Sequence, residues 1–162
     1  MSSPADARPR QFTSALGWPA AIDSAGTVTV QDDAGQLRAT YQGTAAKHPS
    51  AHVPAGGSHI VRLPTGEVEL FNGKPKAKRR RDHNGHLDLY GRRYEFLHVR
   101  RWNTEVTCDG VRVAVLHRRF SRTFTVRVNA VRDDTDLLAT VLCWYAVRPG
   151  RAGAISAAFD GL

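Results

Sequence analysis

Cysteine is scarce in this chain, with Cys108 and Cys143 its only two. They form no paired framework and no metal-type spacing, which fits a reducing compartment rather than a disulfide-stapled secreted scaffold. Cys143 lies in an apolar run and Cys108 in a strand-like segment, so both are expected to be small buried thiols. Long hydrophobic runs are missing too: no segment reaches the roughly 18 residues that a membrane-spanning helix needs. The first ten residues are polar and broken by proline, and the apolar stretch at 16–22 is too short and interrupted for a signal h-region. A soluble, cytoplasmic protein is expected.

Catalytic signatures are equally lacking. The sequence holds no G-x-S-x-G, P-loop, H-E-x-x-H or G-x-G-x-x-G. Ser58 and His59 with Asp82 or Asp88 come nearest to a nucleophilic triad, and any chain of this size offers such a combination. Among seven histidines, His83 and His86 sit three apart and His48 and His52 four apart, both pairs in loops without a third ligand. The expectation is a non-enzymatic protein with no metal and no cofactor.

What is present describes one globular domain. A chain of 162 residues can bury a core unaided, and 41% hydrophobic with 23% charged residues is ordinary. Lys and Arg exceed Asp and Glu by 23 to 15, a net charge of +8. That balance favours polyanions such as lipid headgroups or nucleic acid. Arginine is abundant together with Ala, Val, Gly and Asp, a mixture typical of GC-rich bacterial coding, so the excess alone identifies no partner.

Residues 1–11 read as a flexible N-terminal tail and 12–162 as a single β-rich domain. Gly17 and Pro19 argue against a regular element near the start. Nine strands follow, at 27–31, 36–41, 58–63, 66–71, 86–90, 93–98, 104–108, 111–116 and 123–129, nearly all in consecutive antiparallel pairs. In the fourth, Val68 and Leu70 alternate with Glu67 and Glu69. Residues 43–57 read as a loop. Asp109-Gly110 suits a type I′ turn, and glycine at the first central position of Gly91-Arg92 suits type II′.

The run 137–147, Leu-Leu-Ala-Thr-Val-Leu-Cys-Trp-Tyr-Ala-Val, does not alternate. Acidic residues precede it, with Asp134 or Thr135 able to cap a helix, and Arg148-Pro149-Gly150 ends it. Its opening Leu-Leu-Ala favours helix, while Val141, Trp144, Tyr145 and Val147 leave a core strand as the alternative. A helix apolar all round must be buried all round. The fold class expected is therefore mainly β: an antiparallel β-barrel-like meander around a buried C-terminal hydrophobic helix.

Residues 86–148 resemble the tubby C-terminal-like superfamily, the LURP-one-related and phospholipid-scramblase-like proteins. The features that carry this are the strand ending in Asp109-Gly110, the strand Val111-Arg112-Val113-Ala114-Val115 with basic Arg118-Arg119, the segment Phe124-Thr125-Val126-Arg127-Val128, and the cap Asp134-Thr135-Asp136 leading into the apolar run. The resemblance implies a barrel around that helix, in a small bacterial member. The scramblase group's aspartate-rich calcium segment has no counterpart, since residues 148–162 hold only Asp160.

Two basic sets are the candidate anion-binding residues. Lys74, Lys76, Lys78, Arg79, Arg80 and Arg81 place six cations in eight residues, without interleaved aromatics for base stacking. Arg92, Arg93, Arg100, Arg101, Arg118 and Arg119 lie at strand ends, with Trp102 and Phe120 beside them; such arginines also serve as solubilising edge residues. The function expected is a β-barrel module binding an anionic surface, membrane lipid headgroups first, through these basic loops. A nucleic-acid-binding protein using the same loops, and a barrel with a small-molecule pocket beside the helix, are the alternatives.

Overall fold

Alternation of apolar and polar side chains sets the architecture. The computed structural model describes residues 9–13, 16–45, 49–100, 102–118, 124–128 and 130–147, without the side chains of 13, 118 and 124–128. Among the described residues eleven strands form one sheet: β1 (Arg10–Thr13), β2 (Pro19–Ile22), β3 (Thr27–Gln31), β4 (Leu37–Gln42), β5 (Ser58–Leu63), β6 (Gly66–Phe71), β7 (Gly85–Leu89), β8 (Arg92–Arg100), β9 (Asn103–Cys108), β10 (Val111–Arg118) and β11 (Phe124–Val128). Every strand pairs antiparallel with its neighbour in the chain. In β3 the buried residues are Val28 and Val30, in β7 Leu87 and Leu89, and in β8 Tyr94, Phe96 and His98. With a period of two, these side chains all point to one face, which becomes the core.

The two N-terminal strands were not expected. Pro19 is the first residue of β2, where a missing N–H disrupts the ladder least, so it does not block the strand. β1 starts at Arg10, inside the stretch expected to be a tail. The turn expected at Gly91-Arg92 is instead Tyr90-Gly91, closing the pair Leu89–Arg92 with φ of 48° and 79°, both positive as in type I′. Moving the turn by one residue shifts the pairing by two, which leaves every side chain on its own face, so alternation could not separate the two registers. Asp109-Gly110 takes the expected conformation, with φ of 48° and 83°.

The apolar run is helical, and the core-strand alternative does not hold. Helix α1 (Asp134–Leu142) continues as a π-helical stretch, Cys143–Val147. Its cap is Asp133 rather than Asp134 or Thr135: the Asp133 backbone is extended and its carboxylate accepts the Asp136 N–H at 3.1 Å. Ala139, Val141, Leu142, Cys143, Ala146 and Val147 are fully buried. Contacts reach the helix from both halves of the chain. Tyr145 donates its hydroxyl to the Trp18 carbonyl at 3.0 Å, Val53 N–H donates to Ala146 O at 3.0 Å, and Arg92 and Tyr94 of β8 meet Asp136. The meander thus curls around the helix as a barrel-like sheet, and no backbone pairing joins β1 to β11 among the described residues.

Consecutive antiparallel pairing has a geometric consequence: successive connections alternate between two ends of the sheet. β4–β5, β6–β7, β8–β9 and β10–β11 are joined at one end. β3–β4, β5–β6, β7–β8 and β9–β10 are joined at the other, where β11 also hands over to α1.

Candidate anion-binding end of the sheet

The cationic run lies in the β6–β7 connection, and that connection is tightly anchored. Three backbone bonds tie it to the neighbouring β4–β5 loop: Asn72 N–H to Gly57 O at 2.8 Å, Gly57 N–H to Gly73 O at 2.8 Å and Gly56 N–H to Asn72 O at 3.0 Å. A Cβ at Gly56 would lie 2.7 Å from Pro75 Cα, and one at Gly73 2.8 Å from His83 Cα, so glycine is required at both close approaches. Lys74 N–H donates to Asp82 O at 2.8 Å, closing the loop at its base, and a single 3-10 turn (Arg80–His83) leads into β7.

Within this frame Ala77 N–H reaches Lys74 O at 3.3 Å, and Lys76 follows Pro75 with φ of 55°. Proline then positive φ is the signature of a type II turn, whose third residue is usually glycine. A lysine there costs on the order of 1 kcal/mol in backbone strain. The loop retains a cation where glycine would sit more easily. Lys74, Lys76, Lys78, Arg79 and Arg81 are exposed and Arg80 half-buried. No carboxylate among the described residues forms an ion pair with any of the six.

The second basic set divides. Arg100 is exposed at the same end, where β8 turns into β9. Arg118 ends β10 there too, although its side chain, like Arg101 and Arg119, lies outside the described residues, as does Phe120. Arg92 and Arg93 start β8 at the opposite end and are engaged internally. Arg92 Nη2 lies 2.7 Å from Asp133 Oδ2 and its Nη1 3.2 Å from Asp136 Oδ1, while Arg93 Nη1 is 2.9 Å from Asp88 Oδ2. These two candidate residues thus have internal partners: Arg92 pairs with carboxylates 41 and 44 residues away, and Arg93 with Asp88 directly across the β7–β8 hairpin.

Asp136 is the centre of that opposite end. It is fully buried at the first turn of α1, accepting from Tyr94 Oη, Arg92, Arg132 Nε at 2.9 Å and the Arg132 backbone N–H at 3.1 Å. Burial would raise its pKa, and the hydrogen bonds from Arg132 and Tyr94 outweigh it, holding the carboxyl at about 2. The same carboxylate, with burial first, pushes the Tyr94 phenol well above its ordinary value. Arg132 Nη2 also lies 3.1 Å from Cys108 Sγ. Arg38 bridges Asp32 at 2.8 Å and Asp134 at 2.9 Å and covers the Trp18 ring. None of Arg38, Arg132 or Asp136 stood out in the sequence as partners; only the apolar run and its acidic lead marked the neighbourhood.

Other sites carry less. An open groove of about 410 Å³ lies at the β4–β5 seam, lined by residues including Thr40, Gln42, Ser58, His59 and Arg62, and no helix residue lines it. A pocket beside the helix was one of the alternatives; this groove lies instead at the seam where β4 and β5 pair through two positions, Thr40–Arg62 and Tyr41–Val61. His59 Nε2 is 3.1 Å from Pro54 O, and Asp88 is held by Arg93, so the imagined triad does not assemble with that residue. The described residues hold no group of three or more His, Cys, Asp or Glu placed to share a metal ion, with His48 outside them. No helix among them is long and apolar enough to cross a membrane.

Comparison with protein-family models, curated proteins and solved structures gave no match to this chain.

Proposed function

We propose that this protein is a non-enzymatic module that docks on an anionic surface, membrane lipid headgroups first, through the end of its sheet that carries the β6–β7 loop. The observation that supports this most is the anchored loop with six cations between Lys74 and Arg81 that no described carboxylate neutralises. A solubilising surface spreads charge of both signs; here one sign is gathered on a rigid frame, at the cost of strain at Lys76. Each cation near an anionic bilayer contributes about 1 kcal/mol, so even half of the six engaged together give roughly a hundredfold preference over neutral lipid. Kinship with the tubby-like superfamily, and a cytoplasmic location facing the anionic inner leaflet, belong to the same proposal.

Vesicle co-sedimentation tests the reading. Retention on phosphatidylserine-containing vesicles and not on neutral ones, falling as salt rises, is expected. Equal recovery with both lipids overturns it. A parallel mobility-shift assay with duplex and single-stranded nucleic acid distinguishes the alternative: tight retention at about 0.15 M salt without lipid preference would assign the loop to nucleic acid.

A further inference from the structure

We infer that docking is end-on and places one apolar side chain, Val99, in the bilayer interface beside the cationic loop. The inference rests on the membrane reading above and adds an orientation and an insertion point. β8 and β9 pair Leu97 with Glu105 and His98 with Thr104, then Arg100 with Asn103, so Val99 is an extra residue at a β-bulge. It has no cross-strand partner and is 45% exposed.

The bulge is fastened to the cationic loop. The 3-10 turn (Arg80–His83) packs against β8, and Asn84 Oδ1, one residue beyond that turn, accepts the His98 N–H at 2.8 Å. Val99 therefore follows directly on the residue that anchors the strand to the loop, and Arg100, also exposed, follows Val99. Cations at headgroup level with an apolar side chain projecting among them form the amphipathic arrangement that binds interfaces: charge attracts, and apolar burial retains.

Exposed apolar residues also occur at the other end, where Leu37, Tyr90 and Val111 are 48%, 52% and 62% exposed. Their surroundings differ in sign. Asp33, Asp88, Asp109 and Asp134 are all exposed at that end, and its arginines Arg38, Arg92, Arg93, Arg112 and Arg132 are each in ion pairs, so it holds no cluster of unpaired cations to attract anionic lipid. Exposure alone does not select Val99; its position among unneutralised cations does.

The two ends can be read independently with a fluorophore. Cys108 and Cys143 are 2% and 0% exposed, so a cysteine introduced at the surface is the preferred site for an environment-sensitive thiol label. Val99→Cys and Val111→Cys are labelled separately in the full chain and mixed with anionic vesicles. Expected are a blue shift and quenching by nitroxide-bearing lipid at position 99, and a water-like spectrum at position 111. In the unlabelled protein Val99→Ser should weaken vesicle binding about five- to tenfold while leaving its salt dependence unchanged. Binding to anionic vesicles with position 99 still in water, or with position 111 shifted, overturns the inference and leaves the surface reading standing. Failure of the wild-type chain to bind any vesicle overturns both.

Discussion

The two ends of the sheet hold their basic side chains in opposite circumstances. Where α1 begins, Arg38, Arg92 and Arg132 close onto Asp32, Asp133, Asp134 and Asp136, and the two buried carboxylates among them, Asp32 and Asp136, are both hydrogen-bonded. Where the β6–β7 loop emerges, six cations share a rigid frame with no described carboxylate opposite. The first arrangement is what a charge needs in order to be buried; the second leaves charge available for a partner. Arginine thus serves folding at one end and, together with lysine in the account proposed above, recognition at the other.

The sharpest way to break this division is to strike the folding end. Asp136→Asn leaves Arg92 and Arg132 facing a neutral amide and should cost about 3 kcal/mol, read as a lower urea midpoint. Loss below about 0.5 kcal/mol would show that the network is not structural. At the recognition end the pattern should reverse. Lys74→Ala, Lys76→Ala and Lys78→Ala combined should weaken binding to anionic vesicles about a hundredfold, with the urea midpoint nearly unchanged, since alanine keeps the Cβ that is strained at position 76.

Acid should act on the folding end alone. Asp136 titrates lower in the folded chain, at about 2, than in the unfolded one, at the ordinary carboxylate value of 3.8, so its stabilisation is present above that ordinary value. As pH falls through roughly 4 towards 2, about 2 kcal/mol should be lost, and Asp136→Asn should flatten that part of the stability-against-pH curve. The smallest effect is expected at Lys76. Lys76→Gly relieves the positive φ and should raise stability by about 0.5–1 kcal/mol while weakening vesicle binding about fivefold, separating the two ends' interests in one residue.

Much of the fold was legible because alternation is a local signal. The strands at 27–31, 58–63 and 66–71 coincide with β3, β5 and β6, and the Asp109-Gly110 turn has the conformation its residues require. The helix in the apolar run was also within reach, from its acidic lead and its opening residues. What failed was information that alternation does not contain. A turn shifted by one residue keeps all faces, so Tyr90-Gly91 was misplaced, and a proline at the first position of β2 hid that strand.

The candidate site was legible only in part. The cluster from Lys74 to Arg81 is visible as composition, whereas its anchoring through Gly56, Gly57 and Gly73 depends on backbone contacts between separate loops. Arg92 looked equivalent to Arg100 because its partners Asp133 and Asp136 lie 41 and 44 residues away. Sequence proximity cannot reveal which cation has already met its carboxylate. Topology does, by sending alternate connections to opposite ends.

The central claim is that position, rather than net charge, makes the β6–β7 end a binding surface. The most direct measurement compares two double variants with equal charge loss in the same vesicle assay: Lys78→Ala with Arg79→Ala, and Arg62→Ala with Arg112→Ala. The second pair removes exposed arginines that bridge Glu67 and Glu105 elsewhere on the sheet. The account predicts that the first double variant loses at least about tenfold in affinity for anionic vesicles while the second binds within about threefold of wild type. Equal losses in the two would contradict it.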